Sequence, residues 1–566
     1  MNKKIVIIGG VAGGATAAAR LRRLDEKSTI VLFERGEHIS FANCGLPYYI
    51  GGTIKERQKL LVQTVEGMSK KFNLDIRNLS EVIQINRTKK NVQVKNLITD
   101  EIYEESYDSL VLSPGAKPIF PQIDGIAETK NIFTLRNIPD TDRIKAFVDK
   151  EHPQNAVVVG GGFIGLEMAE NLVDRGIKVT VVEMGNQVMA PLDYEMASIV
   201  HSHLIEKGVN LILEDGVKAF KNNGNTVLLS SGTQLCTDMI ILSIGVRPEN
   251  HLAIRAGLAV GERGGIQVNE YLQTSDEFIY AIGDAIEVKD YINGNATMIP
   301  LAGPANRQAR IAANNIYGKS EKYKGTLGTS IAKVFDISVA ATGNNEKRLK
   351  QLNMDYEVIH IHPSSHAGYY PGAAPIAFKL LFNPTNGKIL GAQAVGVDGV
   401  DKRIDVIATA IKGNLTVFDL TEVELSYAPP YSSAKDPVNM AGYVGSNIMN
   451  GEVEMVQWYQ IDEIVSSNGL LIDVREPIER EMGYIKGSKN IPLGEIRNRL
   501  NELPKDETIY VSCQVGLRGY LAARILSENG FNVKNLDGGW KTYSSVKNQK
   551  SSAVFQSSCT APQKLD

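Results

Sequence analysis

The sequence predicts an α/β protein built on two parallel-sheet nucleotide domains, and three observations predict it. The segment KIVIIGGVAGGATAAARLRRL reads as a buried strand, a glycine turn and a helix. The same order returns at AVVVGGGFIGLE, 151 residues later from Gly9 to Gly160. In each repeat a second apolar strand ends in an acid: Glu34 follows IVLF, 25 residues after Gly9, and Glu183 follows VTVV, 23 residues after Gly160. A short glycine turn lets a pyrophosphate approach a helix N-terminus, and the acid reaches a ribose hydroxyl.

The first repeat supplies Gly9, Gly10, Gly13 and Gly14, with Val11 where a second fingerprint glycine would stand. The second supplies Gly160, Gly162 and Gly165 in full register. One such turn can be purely architectural, whereas two in one chain imply two dinucleotides, a flavin and a nicotinamide. Glu183 would repel a 2′-phosphate, which favours NADH, with NADPH possible. DSLVLSPGAKP (108–118) reads as a strand and a turn where the chain crosses between the two domains. TSDEFIYAIGDA (274–285) reads as a strand leading to Gly283 and Asp284 at a helix start, where the aspartate would accept from a flavin ribitol hydroxyl.

The chain is 566 residues long. The length suits three to four domains. A net charge of −3 argues against nucleic acid as a partner. No apolar run approaches the roughly 18 residues of a membrane span, and Ile5–Ile8 is too short for a secretory segment. Cytoplasmic placement is expected. Cys44, Cys236, Cys513 and Cys559 form no C-x-x-C pair and no dense framework, so a cysteine that matters is expected to matter by reactivity, with no metal bound. Cys236, beside MIILSIG, is expected in the core, and residues 549–566, which include Cys559, are expected to form a flexible tail. From about 325 to 448, mixed strands and helices without a glycine fingerprint suit an interface. HAGYYPGAAP and LSYAPPYSSAKDP within it read as ordered loops presenting tyrosines.

Near the C-terminus, ETIYVSCQVGLRGYLAARILSENGF places Cys513 on a loop between a buried strand and a helix. Backbone N–H groups and the helix dipole at such a junction would stabilise a thiolate or persulfide anion. Four residues separate Cys513 from Arg518, giving a six-residue loop sized for a sulfane sulfur. Asp473 and Arg475 are read as structural.

Together GGVAGGATAAARLRR, SFANCGLPYYIGG, VVVGGGFIGLEMAENL, YAIGDA and YAPPYSSAKDP resemble the coenzyme A disulfide reductases, which are single-cysteine flavoprotein disulfide reductases. Residues 455–548 resemble a rhodanese domain, and the fusion resembles the coenzyme A disulfide/persulfide reductases. The resemblance implies an FAD domain (1–116 and 246–324), an NAD(P) domain (117–245), a dimerisation domain (325–448) and an α/β rhodanese domain (455–548). It makes Cys44 the redox cysteine that forms a mixed disulfide with coenzyme A (CoA). Thr16, Arg20, Arg23, Ser40 and Asn43 would hold CoA, joined by Lys71, Asn306 and Lys435. Tyr369 and Tyr427 would reach the active site from the other subunit of a homodimer. Substrates would be CoA persulfide, polysulfide or CoA disulfide, with Cys513 and Arg518 relaying sulfane sulfur.

The residues speak to this on their own. No second cysteine lies near Cys44, so its oxidised form must be a mixed disulfide, a persulfide or a sulfenic acid. Related NADH peroxidases and oxidases that use a sulfenate carry a histidine in the first glycine turn, where this chain has Ala12. That alternative is weakened. A second alternative makes the rhodanese domain a sulfur donor to biosynthetic partners.

Overall fold

The computed structural model describes residues 2–547; the tail 549–566 and Cys559 lie outside the described residues. Two compact units emerge, Met1–Met184 with Glu214–Gly328, and Gly185–Leu213 with the described part of Thr329–Val554.

In the first unit the chain runs β1 (Lys4–Ile8), α1 (Ala12–Leu24), β2 (Thr29–Phe33), α2 (Leu46–Gly51), β3 (Asp75–Arg77) and β4 (Ser109–Leu112). It continues through β5 (Ile132–Phe133), β6 (Asn155–Val159), α3 (Phe163–Val173), β7 (Lys178–Val182), β8 (Met239–Leu242), β9 (Ile279–Ala281) and α4 (Ala302–Ile316). One parallel sheet has the order β9-β4-β1-β2-β3. In the second repeat β7, β6, β8 and β5 pair in parallel in that order. β1 and β4 are buried almost throughout, packed in one core with α1, α4 and the antiparallel strands that carry Val82, Ile85, Val92 and Val94. In each sheet the order reverses beside the glycine turn, which opens a crevice at the strands' carboxyl ends.

Two expectations fail here. Gly283–Ala285 is a single 3₁₀ turn followed by the strand Ile286–Lys289, and the long helix α4 begins only at Ala302. Asp284 therefore sits in a turn without a helix dipole behind it. Cys236 ends the short edge strand Gln234–Cys236 and is half-buried, because the buried positions of that hairpin fall on its neighbour Leu235.

In the second unit β10 (Ser330–Val334), β11 (Ile337–Gly343), β12 (Glu357–Ile361), β13 (Ile376–Phe382) and β14 (Ile389–Gly396) form an antiparallel sheet ordered β10-β11-β14-β13-β12, backed by α5 (Val400–Lys412). Then β15 (Glu454–Val456), β16 (Leu470–Asp473), β17 (Lys489–Asn490), β18 (Ile509–Ser512), α6 (Leu517–Glu528), β19 (Val533–Leu536) and α7 (Gly539–Lys547) build a parallel sheet ordered β15-β19-β18-β16-β17.

A buried ionic network ties these two sheets together. Lys379 stands in the middle of β13, whose seven residues are all buried, and is itself fully buried. Its ammonium lies 2.9 Å from Asp193, 2.5 Å from Glu195 and 2.7 Å from Glu346. On β12, His360 meets Glu195 through Nε2 at 3.0 Å and Asp537 through Nδ1 at 2.6 Å. The His360 amide also donates to Asp537 at 2.9 Å. Burial alone would depress the imidazole, but the Asp537 and Glu195 carboxylates outweigh it and push its pKa up to about 9. His360 is thus a cation that donates from both ring nitrogens, one of them to a residue of the C-terminal sheet. No helix among the described residues is long and apolar enough to cross a membrane.

Candidate active site

The two glycine turns are built alike. Gly9 and Gly160 have φ of +97° and +105°, and a Cβ on either would collide with the carbonyl oxygen of Ser113 or Ser243 on the neighbouring strand. A Cβ on Gly14 or Gly165 would strike the carbonyl of Gly9 or Gly160. The Gly10 amide donates to Glu34 Oε2 at 2.8 Å, and the Gly161 amide donates to Glu183 Oε2 at 2.8 Å. Each acid is therefore held against its own turn, where a ribose would lie.

The first turn opens onto a cleft lined by Gly9, Gly13, Glu34, Asn43, Gly283 and Asp284. This lining suits a dinucleotide, with bare backbone for a pyrophosphate and carboxylates for hydroxyl groups. Desolvation in the cleft raises the Asp284 pKa.

Cys44 lies at the rim of that cleft, in the 3₁₀ turn Asn43–Gly45 that leads into α2, beside the lining residue Asn43. It is a free thiol, and the residue is exposed. Protein packed around the sulfur raises its pKa first, and the charges of Glu167 and Asp284 add to this. α2 is pressed onto α3, since a Cβ on Gly51 would strike the Asn171 side chain. Glu167 stands one turn earlier on α3. Burial, then the neighbouring Glu170, pushes the Glu167 pKa up to about 7. Tyr48, four residues past Cys44, is pushed up to about 12 by burial and by the same glutamate.

The residues expected to hold CoA fall largely on one surface. α1 packs along α4, where Thr16 Oγ1 meets Asn306 Oδ1 at 2.8 Å and Arg20 reaches Asn314 Oδ1 from Nε at 3.0 Å and Nη2 at 2.8 Å. Desolvation, then Arg310 and Arg23, lowers the Arg20 pKa, so three guanidiniums share this face. Arg22, in the same ARLRR run, is instead buried and donates to the carbonyls of Phe72, Asn73, Asp25 and Glu26. Ser40 adopts a left-handed φ of +46° just before the Cys44 turn, and its carbonyl accepts from the Val62 amide. Lys71 is exposed beside Phe72, whose carbonyl takes the Arg22 bond.

In the second unit Tyr369 and Tyr427 come together across 58 residues of sequence, their hydroxyls 2.8 Å apart, and Tyr369 is 77% exposed. Buried Arg403 on α5 holds both loops: its Nη2 donates to Ser365 O at 2.8 Å, Ser432 Oγ at 3.2 Å and Asp436 Oδ2 at 2.9 Å. Lys435, next to Asp436, is exposed. Among the described residues, sequence reading passed over Glu167, Arg310 and Arg403. Glu167 closes the quoted GGGFIGLE motif. Arg310 lies four residues from both Asn306 and Asn314, a spacing that sets it on their face of α4. Arg403 leaves no signal in its surroundings.

Cys513 follows β18 and is buried. The Gly516 amide donates to its sulfur at 3.1 Å; among the described residues it is the only such donor, where several were expected. Gly516 turns with φ +99° into α6. Below the loop, the Trp540 amide donates to Cys513 O at 2.7 Å and the Lys541 amide to Gln514 O at 3.0 Å. Arg475 is buried against Asp473, with Nη2 at 2.8 Å, and reaches Gln514 Oε1 at 3.1 Å. Arg518 does not turn into the loop. Its two Nη atoms form a bidentate pair with Glu479, at 2.6 Å each.

Residues 3–309 match the pyridine nucleotide-disulphide oxidoreductase family, residues 329–437 that family's dimerisation domain, and residues 458–545 the rhodanese-like domain. The chain belongs to the pyridine nucleotide-disulphide oxidoreductases. A relative within this oxidoreductase family is the coenzyme A disulfide reductase of Staphylococcus haemolyticus, 40% identical over 443 residues, 78% of this chain and 99% of the relative. The structure of reduced CoADR-RHD from Bacillus anthracis is 64% identical, with a TM-score of 0.96 over 97% of this chain and 99% of that one. An NAD-dependent persulfide reductase from A. fulgidus is 37% identical, with a TM-score of 0.89 over 95% of this chain and all of that one. This oxidoreductase thus carries the two nucleotide domains, the dimerisation domain and the rhodanese domain that its sequence predicts.

Proposed function

We propose that the protein is a cytoplasmic, homodimeric, NADH-dependent reductase of CoA persulfide and CoA disulfide, working through Cys44, with Cys513 supplying sulfane sulfur. The observation that carries this reading is a free, exposed Cys44 at the rim of the dinucleotide cleft, with no second cysteine in the same turn and with the α1–α4 basic face built from the expected CoA residues. The names of the two similar reductases and the rhodanese match support it.

FAD would be held by Gly9, Gly10, Gly13, Gly14, Glu34, Gly283 and Asp284, and NADH by Gly160, Gly162, Gly165 and Glu183. When bound, FAD supplies from NADH the two electrons that free Cys44 from a mixed disulfide. Arg20, Arg23 and Arg310 answer the phosphates of CoA, and Thr16, Ser40, Asn43, Lys71, Asn306 and Lys435 complete its path. The Cys44 thiolate attacks the carbon-bound sulfur of CoA–S–SH, forming Cys44–S–S–CoA and releasing hydrosulfide; with CoA disulfide the leaving group is CoA thiolate. The Tyr369–Tyr427 pair of one subunit donates a hydrogen bond to the sulfur leaving from the other subunit's Cys44. Cys513 takes a sulfane sulfur as a persulfide and passes it to CoA thiol.

The test compares anaerobic NADH consumption on CoA persulfide, CoA disulfide, polysulfide and peroxide. CoA persulfide should turn over fastest; fastest turnover of peroxide would sink the reading in favour of the sulfenate alternative.

A further inference from the structure

In the rhodanese domain, every guanidinium near the Cys513 loop already has a carboxylate. Arg475 and Arg480 share Asp473, at 2.8 and 3.1 Å, and Arg518 holds Glu479 through both Nη atoms. Lys541 meets the loop through its amide. Arg518 lies close enough for the Cys513 thiolate to raise its pKa, although the Glu479 bond is the larger cause. The guanidinium that feels the Cys513 charge is therefore part of a neutral pair. Around that pair the surface is apolar and open. Ile478 and Met482, flanking Glu479, are 66% and 85% exposed, and Leu517 and Leu521, one turn apart on α6, are 57% and 44% exposed.

A sulfur oxyanion such as thiosulfate needs an unpaired cation at the mouth of the loop, since its charge must be desolvated as the sulfane sulfur meets Cys513. An organic persulfide brings its sulfane sulfur on an uncharged carbon arm. We propose that the Glu479–Arg518 pair sets the substrate class of the Cys513 site, excluding sulfur oxyanions such as thiosulfate and admitting organic persulfides with an apolar arm. The proposal rests on the reading of Cys513 as a sulfur acceptor. In the transfer the Cys513 thiolate attacks the outer sulfur of R–S–SH. The R–S to sulfur bond breaks, Cys513–S–SH forms, and the electron pair leaves on R–S⁻, so no outside oxidant or reductant is involved.

The experiment loads the full-length protein with pantetheine persulfide or with thiosulfate, then follows persulfide on Cys513 by mass and thiocyanate release with cyanide. The wild type should favour pantetheine persulfide by about tenfold or more, the scale of one uncovered charged hydrogen bond. Glu479→Gln should raise thiosulfate turnover by about tenfold. The double variant Glu479→Gln/Arg518→Met should lose that gain, which assigns it to the freed guanidinium. Equal use of both donors by the wild type, or a Glu479→Gln variant with an unchanged donor ratio, overturns the role of the pair. Failure of both donors to load Cys513 overturns the sulfur-acceptor reading and the proposal with it. NADH-dependent reduction of CoA disulfide, run alongside, reports whether each variant is folded.

Discussion

Cys44 and Cys513 both sit near the start of a helix, yet the protein treats the two sulfurs oppositely. Cys44 is exposed in a 3₁₀ turn, and its neighbours Glu167 and Asp284 add negative charge that raises its pKa. Cys513 is buried, with the Gly516 amide on its sulfur and two further amides fixing its loop from below. The difference teaches that the two sulfurs are prepared for different partners. Cys44 is open to solvent, as the proposed attack on a large substrate that brings its own sulfur would require, and its electrostatics favour the thiol. Cys513 sits in a fixed loop with an amide on its sulfur, as the proposed persulfide anion would require.

The sharpest way to break this contrast is to remove each sulfur in turn. Cys44→Ser should reduce NADH-dependent turnover of CoA persulfide and CoA disulfide by roughly a thousandfold or more, because no other thiol can take the covalent role. Cys513→Ser should leave CoA disulfide reduction within about twofold while removing most use of inorganic polysulfide. Equal losses on both substrates in the second variant would show that the two sites do not divide the work.

The next effect concerns what holds the Cys513 loop in place. His360→Ala leaves Asp537 buried without its cation, and breaking such a pair costs about 3–5 kcal/mol. Calorimetry should then show the rhodanese domain melting ahead of the rest; a single transition at the wild-type temperature would count against the network. The imidazole pKa, about 9 in the fold, exceeds its ordinary 6.5, so this stabilisation is complete below pH 6.5 and is lost as pH rises through about 9. The wild-type melting temperature should fall over that window, and His360→Ala should flatten the fall.

The smallest effect sharpens the electrostatics of Cys44. Glu167→Gln removes a negative charge beside the sulfur and should speed its alkylation by iodoacetamide about two- to fivefold at pH 8. With the Glu167 pKa near 7, the gain should vanish below pH 6, where the wild-type carboxyl is already protonated. A gain that persists unchanged at pH 5.5 would place its origin elsewhere.

Local patterns made the fold legible. Glycine spacing, apolar strands of four or five residues and a terminal acid recur in both nucleotide domains, because a pyrophosphate turn needs those groups close together in sequence. The same locality makes Cys44, Cys513 and the Thr16–Arg20–Arg23 face stand out as candidates. Reading failed where the deciding group comes from far along the chain. The GDA turn lacks the helix expected behind Asp284, since α4 begins at Ala302. Arg518 was assigned to the sulfur, but Glu479, 39 residues earlier, claims both ends of its guanidinium.

By itself, then, the sequence determined the two nucleotide domains and the order of the domains. Each of these is written in neighbouring residues. Only the tertiary structure decided which charges are spent on one another: Lys379 among three carboxylates, His360 between Glu195 and Asp537, Arg403 under the tyrosine loops, and Arg518 on Glu479. Charge pairing in a folded interior depends on distance through space and on exclusion of water, and neither is a property of spacing along the chain.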